Sequence, residues 1–321
     1  MSAAGFRVRV ARKTAEAEGI CSFELVRIDG QPLPAFAAGS HVDVEVPGGF
    51  TRQYSLCNDP AETHRYLIAV LRDAGSRGGS VAMHNRVKEG DVLTISAPKN
   101  HFALAHDARS HLLLAGGIGV TPLLCMAERL AHVGAEFEMH YCTRSRARTA
   151  FMPRIEASGF APRVAFHFDD GPAAQRLDLA ALLARPEPGR HLYVCGPKGF
   201  MDAVLGAALA SGWPDAQVHH EFFGAEVASR ADDGRFEVKL ASSGRVIPVA
   251  ADRTVVQALA EAGVSVATSC EQGVCGTCLT RVIEGVPDHR DMYLTPEEQA
   301  AGDQFLPCCS RSKSPLLVLD L

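Results

Sequence analysis

The chain has 321 residues, of which 47% are hydrophobic, and a formal net charge of −5. Its length exceeds that of one typical domain and favours two or three domains. The acidic balance and the lack of clustered basic residues argue against a nucleic-acid partner. Because the N-terminus is not signal-like and no run approaches roughly 18 apolar residues, we expect a cytoplasmic protein that does not enter the membrane.

Residues up to about 104 predict a small antiparallel β-barrel. Short apolar runs alternate there with Gly, Pro and Asp, and the segment His-Val-Asp-Val-Glu-Val at 41–46 places Val42, Val44 and Val46 on one face of a strand. Several short strands of this kind, separated by turn residues, are typical of a barrel.

Two segments of this barrel carry candidate ligand-binding residues. On an extended strand Arg52 and Tyr54 share a face, so the guanidinium is suited to a phosphate and the phenol ring to a flat heterocycle. The segment Ser-Arg-Gly-Gly-Ser at 76–80 precedes a predicted helix and resembles an anion cradle. A cross-strand surface pair and a flexible glycine-rich turn are the respective alternatives.

From about residue 105 strands alternate with helices, which predicts a parallel sheet. A buried strand at 111–115 leads into Gly-Gly-Ile-Gly-Val-Thr-Pro at 116–122, where we expect Thr121 to be the N-cap of a helix and Pro122 its first residue. The free N–H groups of such a helix start suit a pyrophosphate. The segment is not a G-x-G-x-x-G fingerprint, so it does not predict a Rossmann dehydrogenase.

Three later loops follow predicted strands of the same sheet. They are Thr-Arg-Ser at 143–145, Asp-Asp-Gly-Pro at 169–172 and Cys-Gly-Pro at 195–197. Ligands of open α/β sheets lie beyond the carboxyl ends of the strands, so these loops are candidates for a nucleotide site. Cys195 is expected to position a ligand rather than to react, since no base adjoins it.

Four cysteines near the C-terminus have the spacing C-x4-C-x2-C-x29-C, formed by Cys270, Cys275, Cys278 and Cys308. This is the plant-type spacing for a [2Fe-2S] cluster. A structural zinc site is the alternative, although zinc sites usually contain two C-x2-C pairs and this chain has one. Cys309 directly follows Cys308 and competes for the fourth position. We expect the six remaining cysteines to be reduced and buried.

Taken together, these motifs resemble those of the phthalate dioxygenase reductase family, and the layout is also similar to that of vanillate demethylase and carnitine monooxygenase reductases. The resemblance runs to the terminal Leu-Val-Leu-Asp-Leu at 317–321. It implies a multidomain protein with an antiparallel β-barrel flavin domain, an α/β parallel-sheet nucleotide domain of ferredoxin-reductase type and an α+β plant-type ferredoxin domain. The expected boundaries are 1–104 for the FMN barrel, 105–226 for the NAD(P)H domain, 227–234 for a linker and 235–321 for the [2Fe-2S] domain.

The resemblance also assigns cofactor contacts to residues of this chain. For FMN it implies Arg52, Gln53, Tyr54, Ser55, Ala69, Val70, Leu71, Arg77, Gly79 and Ser80, with Phe223 beside the flavin. For the nicotinamide nucleotide it implies Gly117, Thr121, Thr143, Arg144, Asp169, Cys195, Gly196 and Pro197. Ser145 stands where a relative has an acidic residue, and Arg146 and Arg148 lie nearby, so NADPH stays possible beside NADH. Core packing is the alternative for Phe223.

The implied activity is that of an NAD(P)H-dependent reductase with no acid, base or nucleophile of its own. It would pass electrons from NADH through FMN and the [2Fe-2S] cluster to the terminal component of a Rieske-type, phthalate-like oxygenase, or of a demethylase or carnitine-type monooxygenase. We expect a monomer. The competing hypotheses are a one-electron carrier whose first two domains only dock a partner, and a flavin reductase with a structural zinc site.

Overall fold

The computed structural model describes residues 5–73, 78–224 and 233–321, and it divides into two compact units, Met1–Phe223 and Gly224–Leu321. Arg77, Ser76 and most of the expected linker lie outside the described residues. In the part of the chain that is described, no helix is both long enough and apolar enough to cross a bilayer.

The first unit begins with an antiparallel sheet that closes into a barrel. Its strands run in the order β4-β3-β6-β1-β2-β5, with β7 paired to β3. They are β1 (Phe6–Ala17), β2 (Ile20–Arg27), β3 (Ser40–Val46), β4 (Phe50–Ser55), β5 (Tyr66–Leu71), β6 (Val92–Ile95) and β7 (Lys99–Asn100). An antiparallel bridge between Leu56 and Ile68 joins the end of β4 to β5 and completes the closure. The predicted barrel is confirmed.

Apolar alternation explains the interior of this barrel. Val42, Val44 and Val46 are buried as expected, together with Phe23 and Ile68. Helix α1 (Gly79–Arg86) follows β5 and contributes two further side chains to the same core, those of Ala82 and Met83. The helix is therefore fixed to the barrel by its apolar face.

The second half of this unit is a five-stranded parallel sheet in the order β10-β9-β8-β11-β12. The strands are β8 (Ser110–Gly116), β9 (Glu136–Thr143), β10 (Val164–Phe168), β11 (Arg190–Cys195) and β12 (Val218–Glu221). The helices are α2 (Val120–His132), α3 (Met152–Glu156), α4 (Leu179–Leu183) and α5 (Lys198–Ala210). Since β9 and β11 flank β8 on opposite sides, the chain reverses its direction of winding at β8, which opens a crevice at the carboxyl end of that strand.

Apolar side chains cover both faces of the parallel sheet. On one face α2 packs over Leu113, Ala115 and Tyr193, and this core continues without a break into barrel residues such as Cys57 and Ala69. On the other face α5 and Trp213 cover a second cluster. The hydroxyl of Tyr193 also accepts a hydrogen bond from the backbone N–H of Ala105 at 2.8 Å. Barrel and parallel sheet thus share one core.

The expected capping of α2 by Thr121 is wrong. A single turn of 3-10 helix, Gly117–Gly119, precedes α2, and the N-cap is Gly119. Thr121 lies inside the helix, where its buried hydroxyl donates to the carbonyl of Ile118 at 3.1 Å. The glycine run allowed the chain to turn earlier than the threonine signal indicated.

The second unit is a small α+β fold. Its five-stranded sheet has the order β14-β13-β19-β15-β17, and a separate ribbon pairs β16 with β18. The strands are β13 (Phe236–Leu240), β14 (Val246–Val249), β15 (Thr280–Glu284), β16 (Pro287–Asp288), β17 (Gln304–Phe305), β18 (Arg311–Ser312) and β19 (Leu316–Leu319). The helices are α6 (Val255–Glu261) and α7 (Pro296–Ala301), each opened by a capping box, at Thr254 and Thr295.

The cysteines are free in the structure, but not all of the six outside the motif are buried. Four of these six are buried, namely Cys57, Cys125, Cys195 and Cys309. The other two, Cys21 and Cys142, are partly exposed. The expectation of burial is therefore wrong for these two, which lie on strands whose faces are only partly covered.

Candidate functional site

Strand β4 presents two different faces. Arg52 pairs with Val44 of β3 and Tyr54 pairs with Val42, so both side chains lie on the same face of the sheet. Gln53 points the other way, where its amide donates to Asp43 at 3.0 Å. The structure thus brings Arg52 and Tyr54 together and gives the Gln53 side chain a different partner.

The Arg52 side chain lies against the start of α1. Its guanidinium is 5.2 Å from the centre of the Phe50 ring and donates to the carbonyl of Thr51 at 2.7 Å. A Cβ on Gly79 would lie 2.9 Å from Cγ and Nε of Arg52, closer than real Cβ atoms approach other atoms. Only a glycine therefore allows this arginine to lie beside the amino end of α1.

The amino end of α1 is built from small residues. Gly78 is the N-cap with a φ of 96°, a left-handed conformation that favours glycine. Ser80 closes the preceding loop, since its hydroxyl lies 3.2 Å from the backbone nitrogen of Asp73 and 3.4 Å from its carbonyl oxygen. The structure thus places Gly79 against Arg52 and Ser80 at the same helix end, while Arg77 lies outside the described residues.

The strand behind this site, β5, is mostly buried. Ala69 and Val70 are 5% and 2% exposed, whereas Leu71 is 41% exposed. Phe223, at the end of the first unit, is 37% exposed. Its ring is therefore available to a ligand, and core packing does not describe it.

A buried carboxyl group joins the barrel to the parallel sheet. The hydroxyl of Ser55 donates to Oε2 of Glu221 at 3.4 Å, and Glu221 pairs with Cys195 across β12 and β11. Burial raises the pKa of Glu221 to about 7, although the Ser55 hydroxyl opposes this shift. Burial also raises the pKa of Cys195, next to Glu221. This thiol is therefore neutral, as the expected positioning role requires.

Glu221 was not among the predicted contact residues, although Phe223, two positions later, was. The available signal was its position at the carboxyl end of the last parallel strand, at the edge where ligands bind. What sequence reasoning could not provide was its distance from Ser55, 166 positions earlier in the chain.

Glycines bring the two loops at the crevice into contact. A Cβ on Gly119 would lie 2.2 Å from the carbonyl oxygen of Cys195, and one on Gly196 would lie 2.9 Å from Cα of Gly116. Gly117 adopts a φ of 53°. The predicted residues Gly117, Cys195 and Gly196 are thus gathered at the carboxyl ends of β8 and β11, as the topology requires.

A second pair of loops meets at the carboxyl ends of β9 and β10. The backbone N–H of Asp169 donates to the carbonyl of Thr143 at 3.0 Å, and that of Asp170 donates to Arg144 at 3.2 Å. The buried hydroxyl of Thr143 lies 2.7 Å from that of Thr149. Thr143, Arg144 and Asp169 therefore lie together at the same edge of the sheet as the crevice.

In the second unit the four motif cysteines form two pairs. The neighbouring thiols of Cys270 and Cys275 interact, which raises the pKa of Cys270 and lowers that of Cys275 to about 5, and the Cys278 thiol interacts with Cys308, which raises the pKa of Cys278. Cys309 directs its sulfur to the carbonyl of Leu306 at 3.6 Å. The pairing selects Cys308 as the fourth member of the set.

Three residues of the cysteine loop have a left-handed backbone conformation. Glu271, Gly273 and Gly276 have φ values of 53°, 72° and 68°. A Cβ on Gly273 would lie 2.5 Å from Sγ of Cys309, and one on Gly276 would lie 2.3 Å from the Tyr293 ring. These glycines let the backbone approach the sulfurs, where its N–H groups can stabilise thiolates. One such group, that of Gln272, lies 3.3 Å from Sγ of Cys270.

A buried ion network supports both cysteine segments. Arg290 binds Asp288 at 2.7 Å and also contacts Asp233, while Arg311 donates to three backbone carbonyls. Next to Arg290, Asp291 accepts from Ser310, two residues beyond Cys308. The backbone N–H of Met292 donates to Gly273 at 2.9 Å. The segment 288–292 therefore connects the cysteine loop to the fourth cysteine.

These donors fit a binuclear cluster better than a single ion. Two pairs of sulfurs suit two metal ions with two protein ligands each, and four cysteines are the ligand set of a [2Fe-2S] cluster. Among the described residues, no three His, Cys, Asp or Glu side chains are arranged to hold one ion. Together with the barrel and the parallel sheet, this site defines an iron–sulfur electron-transfer reductase with a nucleotide-binding half.

Comparison with known proteins gives the same class. A family model described as the 2Fe-2S iron-sulfur cluster binding domain matches residues 238–313. A second model, described as the N-terminal domain of the dimethylamine monooxygenase subunit DmmA-like, matches residues 95–218. The second unit is thus a [2Fe-2S] domain.

Relatives of known function match over almost the whole chain. A vanillate O-demethylase oxidoreductase from Pseudomonas putida is 55% identical, with 97% of this chain and 98% of the relative covered. Phthalate dioxygenase reductase from Burkholderia cepacia is 41% identical, with 98% and 97% covered. The solved structure of a phthalate dioxygenase reductase, described as modular for electron transfer from pyridine nucleotides to [2Fe-2S], has a TM-score of 0.82 at 41% identity and covers 99% of this chain and 98% of its own.

The chain therefore belongs to the family of flavin iron–sulfur reductases that are the reductase components of oxygenase systems. The family, fold class and reductase activity implied by the sequence are confirmed.

Proposed function

We propose that this protein passes electrons from NADH through FMN and its [2Fe-2S] cluster to the terminal component of a Rieske-type oxygenase. The observation that carries the proposal is the union, in one chain, of a glycine-lined crevice in a parallel sheet and a paired set of four cysteines. When bound, the flavin accepts electrons in pairs and gives them up singly, which a pyridine nucleotide and a [2Fe-2S] cluster cannot do for each other.

In the barrel, the residues of this chain would hold the flavin in place. Arg52 provides a cation for the phosphate of FMN, and the amino end of α1 beside it provides backbone N–H groups. Tyr54 and the backbone of β5 would flank the ring system, and the exposed ring of Phe223 would cover it. The fit rests on the narrow gap at Gly79, which a Cβ would fill.

In the parallel sheet, the crevice loops would hold the nucleotide. The nicotinamide would be surrounded by Thr121, Cys195, Gly196 and Pro197. The rest of the nucleotide would be contacted by Thr143, Arg144 and Asp169. The carboxyl of Glu221, whose pKa burial raises to about 7, would bind or release a proton beside Ser55 and Cys195.

NADH is the preferred nucleotide in this proposal. Arg146 is paired with Glu156 at 3.3 Å, and Arg148 lies 3.5 Å from Glu18. Both arginines thus already have surface partners, which argues against a dedicated site for a 2′-phosphate. NADPH is the alternative that the position of Ser145 leaves open.

The sequence indicated a phthalate-like oxygenase, with a demethylase as the alternative, and both agree with the relatives. The higher identity, 55% against 41%, belongs to an O-demethylase oxidoreductase. We therefore place an aromatic O-demethylase first among the partners to be tested. The expected domain boundaries, the monomeric state and the cytoplasmic location remain predictions.

Turnover with purified oxygenase components tests the proposal. The full chain, NADH and each of a vanillate demethylase oxygenase, a phthalate dioxygenase oxygenase and a carnitine oxygenase should be combined and product formation measured. Product that depends on the chain and on NADH with at least one oxygenase is expected. Reduction of cytochrome c in parallel checks that the reductase is active, and activity with cytochrome c but with none of the oxygenases would contradict the proposed partner class.

A further inference from the structure

Helix α1 is held at its carboxyl end by a lysine from a distant strand. The ammonium group of Lys13, on β1, lies 2.6 Å from the carbonyl of His84, 2.9 Å from that of Val87 and 3.5 Å from that of Met83. An ammonium group has three N–H donors. Lys13 therefore directs all three of its donors at the last turn of one helix.

The position of Lys13 is itself fixed. It is the cross-strand partner of Phe23, which is fully buried, and its ammonium lies 5.3 Å from the centre of the Phe23 ring. The backbone N–H of Lys13 donates to Glu89 at 2.9 Å, just beyond the helix. The lysine is thus part of the barrel wall and not a mobile surface side chain.

The same helix is held at one further point. Nε2 of His84 lies 2.8 Å from the carbonyl oxygen of Val70, on β5. Lys13 and His84 together tie α1 to two strands of the barrel. Because α1 has only eight residues, a movement at its carboxyl end is transmitted to its amino end, where Gly79 packs on Arg52.

We propose that Lys13 is a positioning residue for the phosphate of the flavin, acting through α1. The inference rests on the proposed FMN site at the amino end of that helix. A cation at the carboxyl end of a helix satisfies its unpaired carbonyls and stabilises the helix dipole. The lysine thereby keeps the N–H groups at the other end, and the gap beside Arg52, aligned for a phosphate.

The test compares two flavins that differ only in the phosphate. The full chain is stripped of flavin with its cluster retained, and the dissociation constants of FMN and riboflavin are measured by quenching of flavin fluorescence. For Lys13→Met we expect FMN to bind about fivefold to tenfold more weakly, in keeping with the size of helix-end charge effects. Riboflavin binding should be unchanged, because riboflavin lacks the phosphate that this helix end is proposed to hold.

Matched variants complete the experiment. Lys88→Met removes the same charge from an exposed lysine just after α1 and should leave both constants unchanged. Lys13→Gln, which keeps two N–H donors without the charge, should give a smaller loss for FMN alone and replaces Lys13→Met if that variant does not fold. Equal weakening of FMN and riboflavin, or no weakening of either, would overturn the role of Lys13. If the unaltered chain bound FMN no better than riboflavin, the proposed phosphate site itself would be wrong.

Discussion

At the scale of single residues, the crevice depends on glycines, which have no side chain to separate the two loops. Gly119 lies against the carbonyl of Cys195 and Gly196 lies against Gly116, so the loops after β8 and β11 approach each other more closely than any residue with a Cβ permits. The contact matters because these loops carry the predicted nicotinamide contacts. A methyl group placed there acts as a direct test of the crevice.

Gly119→Ala should therefore impair both stability and nucleotide binding. The new Cβ would stand 2.2 Å from a backbone oxygen that cannot rotate away, so we expect a loss of about 2 kcal/mol in the free energy of unfolding and at least tenfold weaker NADH binding. Thermal unfolding and a nucleotide titration measure these effects. Gly199→Ala, in α5 with no atom within 4 Å of its Cβ, is the control and should be neutral or slightly stabilising. Equal behaviour of the two variants would contradict the close packing.

The buried Glu221 carboxyl predicts a dependence of stability on pH. Its pKa of about 7, against an ordinary value of 4.5, means that the folded protein holds this proton more tightly than the unfolded chain. The free energy of unfolding should therefore fall by up to about 3 kcal/mol as pH rises from about 4.5 to above 7. Glu221→Gln should remove this decline.

Unfolding temperatures at pH 5 and pH 8 provide the measurement. The difference between the two pH values should be smaller in Glu221→Gln than in the unaltered protein, whereas the exposed Glu45→Gln should reproduce the original difference. A Glu221→Gln variant with an undiminished pH dependence would show that this carboxyl is ionised throughout.

At the scale of secondary-structure elements, local signals predicted more than long-range ones. The strands of the barrel followed from the alternation of apolar and polar residues. Thr121 offered the signal of an N-cap but lies inside α2, because three residues of 3-10 helix absorbed the turn. The contact of Ser55 with Glu221 depends on chain closure over a long separation, which residue patterns do not encode.

The ion network of the second unit illustrates how such closure is stabilised. Arg290 is 8% exposed and Asp233 is 4% exposed, so Arg290→Met would leave a buried carboxylate without its main partner. We expect a loss of about 3 kcal/mol in the stability of this unit and faster release of the cluster. Arg253→Met, which breaks surface pairs with Glu261 and Asp252, should cost less than about 1 kcal/mol.

Loss of the visible cluster absorbance during chemical unfolding is the measurement for this pair of variants. A midpoint shifted to lower denaturant in Arg290→Met alone is the expected outcome. If both variants lost the cluster absorbance at the same denaturant concentration as the unaltered protein, the network would have no part in holding the cysteine segments.

At the scale of the whole molecule, the order of motifs along the sequence was sufficient to predict the family and the fold class. Barrel, parallel sheet and cysteine motif each have a local pattern, and their succession matches relatives over nearly the full length. The sequence could not show that barrel and parallel sheet share one hydrophobic core, since Cys57 and Ala69 join the same buried cluster as Leu113 only on folding. That shared cluster explains why the first 223 residues form one compact unit.

The central claim is that electrons from NADH reach a cluster held by Cys270, Cys275, Cys278 and Cys308 of the same chain. The direct measurement is anaerobic addition of NADH to the purified full chain, to Cys308→Ser and to the neighbouring Cys309→Ser, with flavin absorbance and the electron paramagnetic resonance of the reduced cluster recorded together. In the unaltered chain and in Cys309→Ser, the flavin band should bleach and the signal of the reduced cluster should appear. In Cys308→Ser, the flavin band should bleach but the cluster signal should be missing. A cluster signal that persists in Cys308→Ser, or an unaltered chain whose flavin bleaches while its intact cluster stays oxidised, would contradict this account.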